Sequence, residues 1–168
     1  MGMLSWAKTK LLRKSRMSYN SEQFQSSLRW SSLTFFLFRD RESLDIKARS
    51  ELRLGRYSLA SKSYDIADRI GFKLLSHHDN QFKARLGLGD PVGAFRIVQK
   101  KGSKAERKEM SKEISKYLNR LTDTERVSII QEMNSISPLP SEISDLLPWA
   151  PSRVEYEIDA DDSFTKLN

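Results

Sequence analysis

The sequence has no cysteine, only two histidines and only seven glycines in 168 residues. Without cysteine there is no disulfide framework, no thiolate nucleophile and no thiolate metal ligand. That composition favours a reducing compartment such as the cytoplasm. No apolar run approaches the ~20 residues that cross a bilayer. The longest, LTFFLF at 33–38, reads as the buried face of a helix. Residues 1–21 lack the apolar centre of a secretory signal. Trp6 stands where a myristoylation signal wants Ser or Thr.

Catalytic and cofactor signatures are missing too. The adjacent His77 and His78 point about a quarter-turn apart on a helix, whereas a helical zinc site prefers i, i+4. No third ligand is spaced to complete a site. GLGDPVG at 87–93 is glycine-rich and precedes a helix, but a phosphate loop follows a strand and carries a fixed Lys. No serine sits in a nucleophile elbow. The expectation is a protein with no metal and no small-molecule cofactor, and not an enzyme.

What is present is charge, unevenly spread over a formal net of +7. Residues 1–21 hold Lys8, Lys10, Arg13, Lys14 and Arg16 and no acid, while 140–168 hold seven acids and two bases. A basic body with an acidic tail suits an anionic partner or shielding by the tail, and also an ordinary solvated helix surface. Leu4, Trp6, Leu11 and Leu12 interleave the first bases. Residues 1–20 therefore read as a basic, amphipathic segment: a membrane-surface or organelle-targeting element, or a frayed terminus. The densest basic run takes in Arg96, Lys100, Lys101, Lys104, Arg107 and Lys108. It is a candidate anion-binding patch for RNA, an anionic membrane or an acidic polymer. No aromatic residue interleaves it, so base stacking is unsupported.

A repeat organises the middle of the chain. Leu54-Gly55 and Ala60 recur 34 residues later as Leu88-Gly89 and Ala94. A fixed period of this size marks stacked antiparallel helix pairs, each unable to bury its apolar face alone. Gly belongs in the turn and the small Ala lets the paired helix approach. A further step of 34 lands on Thr122, Asp123 and Ser128, and a step back lands on Ser26 and Trp30. Helices are predicted near 5–16, 21–38, 41–54, 57–70, 75–87, 91–101, 104–120 and 123–134, with Asp123 as an N-cap. Four of the five prolines fall at 138, 140, 148 and 151. They bound a capping segment, 138–152, with one short helix at about 141–147 and Leu146, Leu147 and Trp149 folding back on the last repeat. The acidic stretch 153–168 has the composition of a disordered tail.

Leu54, Gly55, Tyr57, Ala60, Tyr64 and Ala67, followed by Leu88, Gly89, Ala94 and Val98, resemble two tetratricopeptide repeats at 41–74 and 75–108 within a repeat domain at 21–137. The family's closing Pro is replaced by Phe72, and Phe82 stands where a small residue is usual. The resemblance implies an all-α fold, a short right-handed α-solenoid whose groove, lined by the first helix of each pair, binds a peptide or partner protein. By position the groove residues are Asp45, Arg49 and Arg53, Asp79, Lys83 and Leu86, then Glu113 and Tyr117. An acid four residues before a base is equally an intrahelical pair worth a few tenths of a kcal/mol. The carboxylate clamp of some family members is not reproduced: Asp45 and Ile114 stand where it wants bases, and only Asn80 fits. The expected function is a non-enzymatic scaffold or adaptor. An accessory role in a cell-surface polysaccharide or glycosyltransferase system, and RNA or membrane binding by the basic patch, are the alternatives.

Overall fold

The computed structural model describes residues 3–147. Among them are nine helices and no strand: α1 (Met3–Asn20), α2 (Phe24–Phe38), α3 (Arg41–Arg53), α4 (Tyr57–Arg69), α5 (His77–Leu88), α6 (Pro91–Gln99), α7 (Lys104–Leu118), α8 (Asp123–Ile136) and α9 (Ser141–Ser144). Each of α1 to α6 packs on the next, and α1 touches α3 as α3 touches α5. The result is an all-α array of helical hairpins. Residues 3–20, set apart by their charge in the sequence, form the first helix of that array. Leu12 and Ser15 are buried against it, and Lys8 and Arg16 pair with Asp40 (2.9 Å) and Glu42. The short helix of the proline-rich segment covers only Ser141–Ser144, and Trp149 and the acidic tail lie outside the described residues.

Side-chain chemistry sets most of the boundaries. Asp40, Asp90 and Ser103 cap α3, α6 and α7 by accepting the N–H of Ser43 (3.0 Å), Gly93 (2.7 Å) and Glu106 (3.4 Å). Such a cap contributes about 1 kcal/mol. α8 is capped by Thr122, not by Asp123 as the sequence suggested: Thr122 and Glu125 form a reciprocal capping box, and Asp123 is the first helical residue. A capping box satisfies two orphan N–H groups at once.

The repeat is visible in the turns. Gly55 (φ +68°) and Gly89 (φ +82°) are left-handed, and so is Glu22 (φ +58°), which closes the α1–α2 turn 33 residues before Gly55. The first hairpin therefore obeys a step of 33, one short of the expected 34. Ser27, Ser31 and Thr34, rather than Ser26 and Trp30, occupy the places of Ala60, Tyr64 and Ala67, and all six are fully buried. The first seam is thus small and polar. Ser27 donates to the Ser15 carbonyl (3.1 Å), and Ser50 donates to Ser27 (3.0 Å).

Two apolar clusters follow. Leu44, Ala48, Ala60, Tyr64 and Ala67 anchor the first, and Phe95, Val98, Ile114, Leu118, Ile130, Met133 and Ile143 the second. In the last hairpin the 34-residue step fails. Ser128 is exposed, and Ile130 and Met133 carry the buried face of α8. There α9 packs on α7, and Ile143 enters the core with Leu139, Leu146 and Leu147 against it.

Candidate functional site

A cleft of about 950 Å³ runs from the end of α1 across α3 and α5 to α7. Its lining follows the repeat. Tyr19, Leu52, Leu86 and Arg120 succeed one another at steps of 33, 34 and 34, and Arg49, Lys83 and Tyr117 form a parallel row. Arg53, Glu113 and Lys116 complete the charge, giving five cations to one carboxylate. Tyr57 forms part of the wall because α5 carries Gly87 opposite it. A Cβ at Gly87 would lie 2.7 Å from the Tyr57 ring, so only glycine permits this approach.

The cations differ in availability. Arg49 is fixed: its guanidinium pairs with Asp45 at 2.8 Å and lies 4.7 Å over the Tyr19 ring, joining α3 to α1. Cation–π contact of this kind is worth about 0.5–2 kcal/mol. Its Nε is buried without a hydrogen-bond partner. Lys116 pairs with Glu113 at 2.7 Å on the exposed face of α7. Arg53, Lys83 and Arg120 are exposed, and no carboxylate among the described residues lies within 4.0 Å of them. These three give the cleft its uncompensated positive charge.

Asp45 and Asp79 keep the expected spacing but do not line the cleft. Asp45 is 8% exposed; it accepts the Leu75 N–H at 3.0 Å besides pairing with Arg49. Burial pushes its carboxyl above the usual range, outweighing the pull of Arg49 and of the Leu75 N–H. Beneath it, Tyr64 is fully buried, its hydroxyl without a hydrogen-bond partner. Burial, and then the Asp45 charge, hold that phenol well above its ordinary value. Asp79 turns toward Lys101, at 2.6 Å.

The six residues of the sequence's basic patch do not converge. Arg96 and Lys100 share a concavity with Asp65, Asp68, Asp90 and Glu132. Lys101 is held between Asp79 and Glu106 (3.3 Å). Lys104, Arg107 and Lys108 face Pro138–Glu142 around a separate hollow of about 400 Å³.

The sequence reading missed Tyr19, Tyr57, Lys116 and Arg120 in the cleft. Arg120 follows from Leu86 by the ordinary step of 34, and Tyr19 becomes visible once the shorter first step is applied to Leu52. Also missed was a buried cluster between α3 and α4: the Lys47 ammonium meets Glu51 (2.6 Å) and Ser63 (2.6 Å), and Ser63 donates to Glu51 (2.6 Å). Ser63 is 0% and Glu51 2% exposed, so this serine is closed to substrate and the cluster ties two helices. Among the described residues no group of three or more His, Asp or Glu side chains is arranged to hold a metal ion. No helix there is long and apolar enough to cross a membrane. Comparison with protein-family models, curated proteins and solved structures returned no match.

Proposed function

We propose that this chain is a tetratricopeptide-like adaptor, and that the α3–α5–α7 cleft holds an acidic, aromatic-bearing peptide segment of a partner protein without chemical conversion. The observation carrying this reading is the pairing, in one concave surface, of three uncompensated cations with an apolar row. Arg53, Lys83 and Arg120 supply charge and direction, and Leu52, Leu86, Tyr57 and Tyr117 supply contact area. Tyr and Arg dominate binding energy at protein surfaces. The left-handed turn residue and small-residue slots repeating through three hairpins support the family resemblance. A similar concavity of about 980 Å³ beside α2 contains Arg29 and Arg56 but also Glu22 and Glu51, and lacks the excess charge.

The test is partner capture and peptide binding with wild type and with Arg53→Glu/Lys83→Glu. Both positions are exposed, so the fold is retained. Affinity for acidic peptides falls more than about tenfold in the variant, and wild-type binding weakens with salt. An unchanged partner list and an unchanged affinity refute the cleft as the site.

A further inference from the structure

Exposed apolar side chains concentrate on the first hairpin. Seven of the thirteen large ones among the described residues lie on α1 and α2. Met3 (86%), Phe36 (70%) and Trp6 (62%) project almost wholly into solvent. The LTFFLF run, expected as the buried face of a helix, is buried at Thr34 and Phe35, while Leu33, Phe36 and Leu37 face outward.

Two contacts fix how α1 lies on α2. The Ser18 hydroxyl donates to the Ser26 hydroxyl (3.4 Å), and the Lys14 ammonium lies 4.4 Å over the Trp30 ring. Both fit one antiparallel register, which brings Trp6 level with Phe38. Leu33 and Leu37 follow Trp30 by three and seven residues and share its face of α2. Lys10 and Met3 precede Lys14 by four and eleven residues and share its face of α1, and Lys10 lies 4.7 Å over Trp6. Met3, Trp6, Leu33, Phe36 and Leu37 therefore meet at the open end of the hairpin.

The rim of this patch is basic. Neither α1 nor α2 contains an Asp or Glu. Lys8 and Arg16 are occupied by Asp40 and Glu42 at the start of α3. No carboxylate among the described residues lies within 4.0 Å of Lys10, Arg13 or Lys14. Projecting apolar side chains beside uncompensated cations match the interface of an anionic bilayer. There tryptophan sits at headgroup level and basic residues meet acidic lipid. A second copy of this chain would bring the same positive charge to the contact and be repelled.

We propose that the open end of the α1–α2 hairpin docks on an anionic phospholipid bilayer. Met3, Trp6, Phe36 and Leu37 enter the interface, and Lys10, Arg13 and Lys14 meet the lipid headgroups. Tyr19 of the cleft stands 13 residues beyond Trp6, about 20 Å along α1, so the docked face and the cleft are distinct surfaces.

The test is flotation of the full chain with phosphatidylcholine vesicles holding about one-quarter phosphatidylserine, and with phosphatidylcholine alone. At low salt wild type floats with the acidic vesicles and far less with the neutral ones. A basic residue beside such a surface strengthens binding about fivefold, so Lys10→Gln/Lys14→Gln binds about 25-fold more weakly. Trp6→Ser/Phe36→Ser, at two exposed positions and with helical ellipticity checked, loses more than about tenfold. Lipid brominated near the headgroup quenches the tryptophan emission of wild type, and Trp6→Phe removes most of that quenching. No flotation with acidic vesicles at low salt overturns the proposal. So does unchanged flotation of Trp6→Ser/Phe36→Ser, or quenching that Trp6→Phe leaves intact. An equal loss in Lys104→Gln/Lys108→Gln, the same charge change placed on α7, overturns it too. Self-association without vesicles that Trp6→Ser/Phe36→Ser abolishes also overturns it, since a second copy then covers the patch.

Discussion

Glu22 offers a direct test of the repeat, because it occupies a left-handed turn position that the next two hairpins fill with glycine. A side chain in that conformation costs about 1–2 kcal/mol. Replacing it with glycine relieves the strain but adds unfolded-state freedom worth about 0.4–1 kcal/mol. The net expectation for Glu22→Gly is a gain of about 0.5–1 kcal/mol. Nothing offsets it, since the Glu22 carboxylate makes no side-chain hydrogen bond or ion pair among the described residues. For a chain of this size 1 kcal/mol moves Tm by about 2–4 °C, so helical ellipticity should melt about 1–4 °C higher. Gly55→Ala, in open space but at φ +68°, should lower Tm by a similar amount. Glu22→Gln separates backbone from charge and should match wild type. If Glu22→Gly is neutral or destabilising, or if Glu22→Gln reproduces its effect, the equivalence of the three turns is refuted.

Other outcomes follow from the buried polar groups. Lys47→Met leaves the Glu51 carboxylate with Ser63 alone and should cost about 3 kcal/mol in urea unfolding. Adding Glu51→Leu should restore most of that, and an additive double variant would contradict the pairing. Tyr64→Phe removes a hydroxyl with no partner and should change stability by less than about 1 kcal/mol, whereas Tyr64→Ala should cost about 3–5 kcal/mol. A large Tyr64→Phe loss would mean the hydroxyl is bonded. The His78 pKa is lowered by burial first, then by His77, Lys101 and Lys100, with Asp68 opposing. The unfolded chain therefore takes up that proton more readily. Its contribution to stability is complete above the ordinary value of about 6.5 and is lost as pH falls toward the lowered one. Unfolding free energies at about pH 7.5 and pH 5.5 should differ less in His78→Asn than in wild type, and equal differences would count against this.

Much of the array is legible in the sequence because glycine and alanine mark backbone constraints that do not depend on context. Gly55 and Gly89 supply a conformation few residues tolerate, and Ala60 and Ala94 supply closeness. The first hairpin hid because its seam uses serine and threonine, which read as polar until their hydrogen bonds to the preceding carbonyls are seen. The last hairpin departs from the period where a non-local element joins it: α9, 23 residues after α7, packs on α7, and Ser128 lies exposed. In the cleft, the residues that spacing puts on one helix face and that line the concavity are Arg49, Arg53, Lys83, Glu113 and Tyr117. Spacing could not show that Asp45 is buried beneath Leu75 or that Asp79 is drawn away by Lys101. Periodicity gives direction along a helix, whereas partners are set by the neighbouring chain.

The polar seam at the first hairpin has a mechanical consequence. Hydrogen bonds of this kind contribute about 1 kcal/mol each net of water, less than a buried Leu or Phe in the later seams. Opening free energies vary across a fold, and the least apolar interface separates first. Tyr19, which belongs to α1, then leaves Arg49 and takes one end of the cleft with it. If that seam opens first, amide exchange in α1 and α2 should be fast relative to α4 and α6. A ligand that reached Tyr19 would slow exchange at the far N-terminal hairpin, so occupancy of the cleft would be legible in the looseness of its first helix.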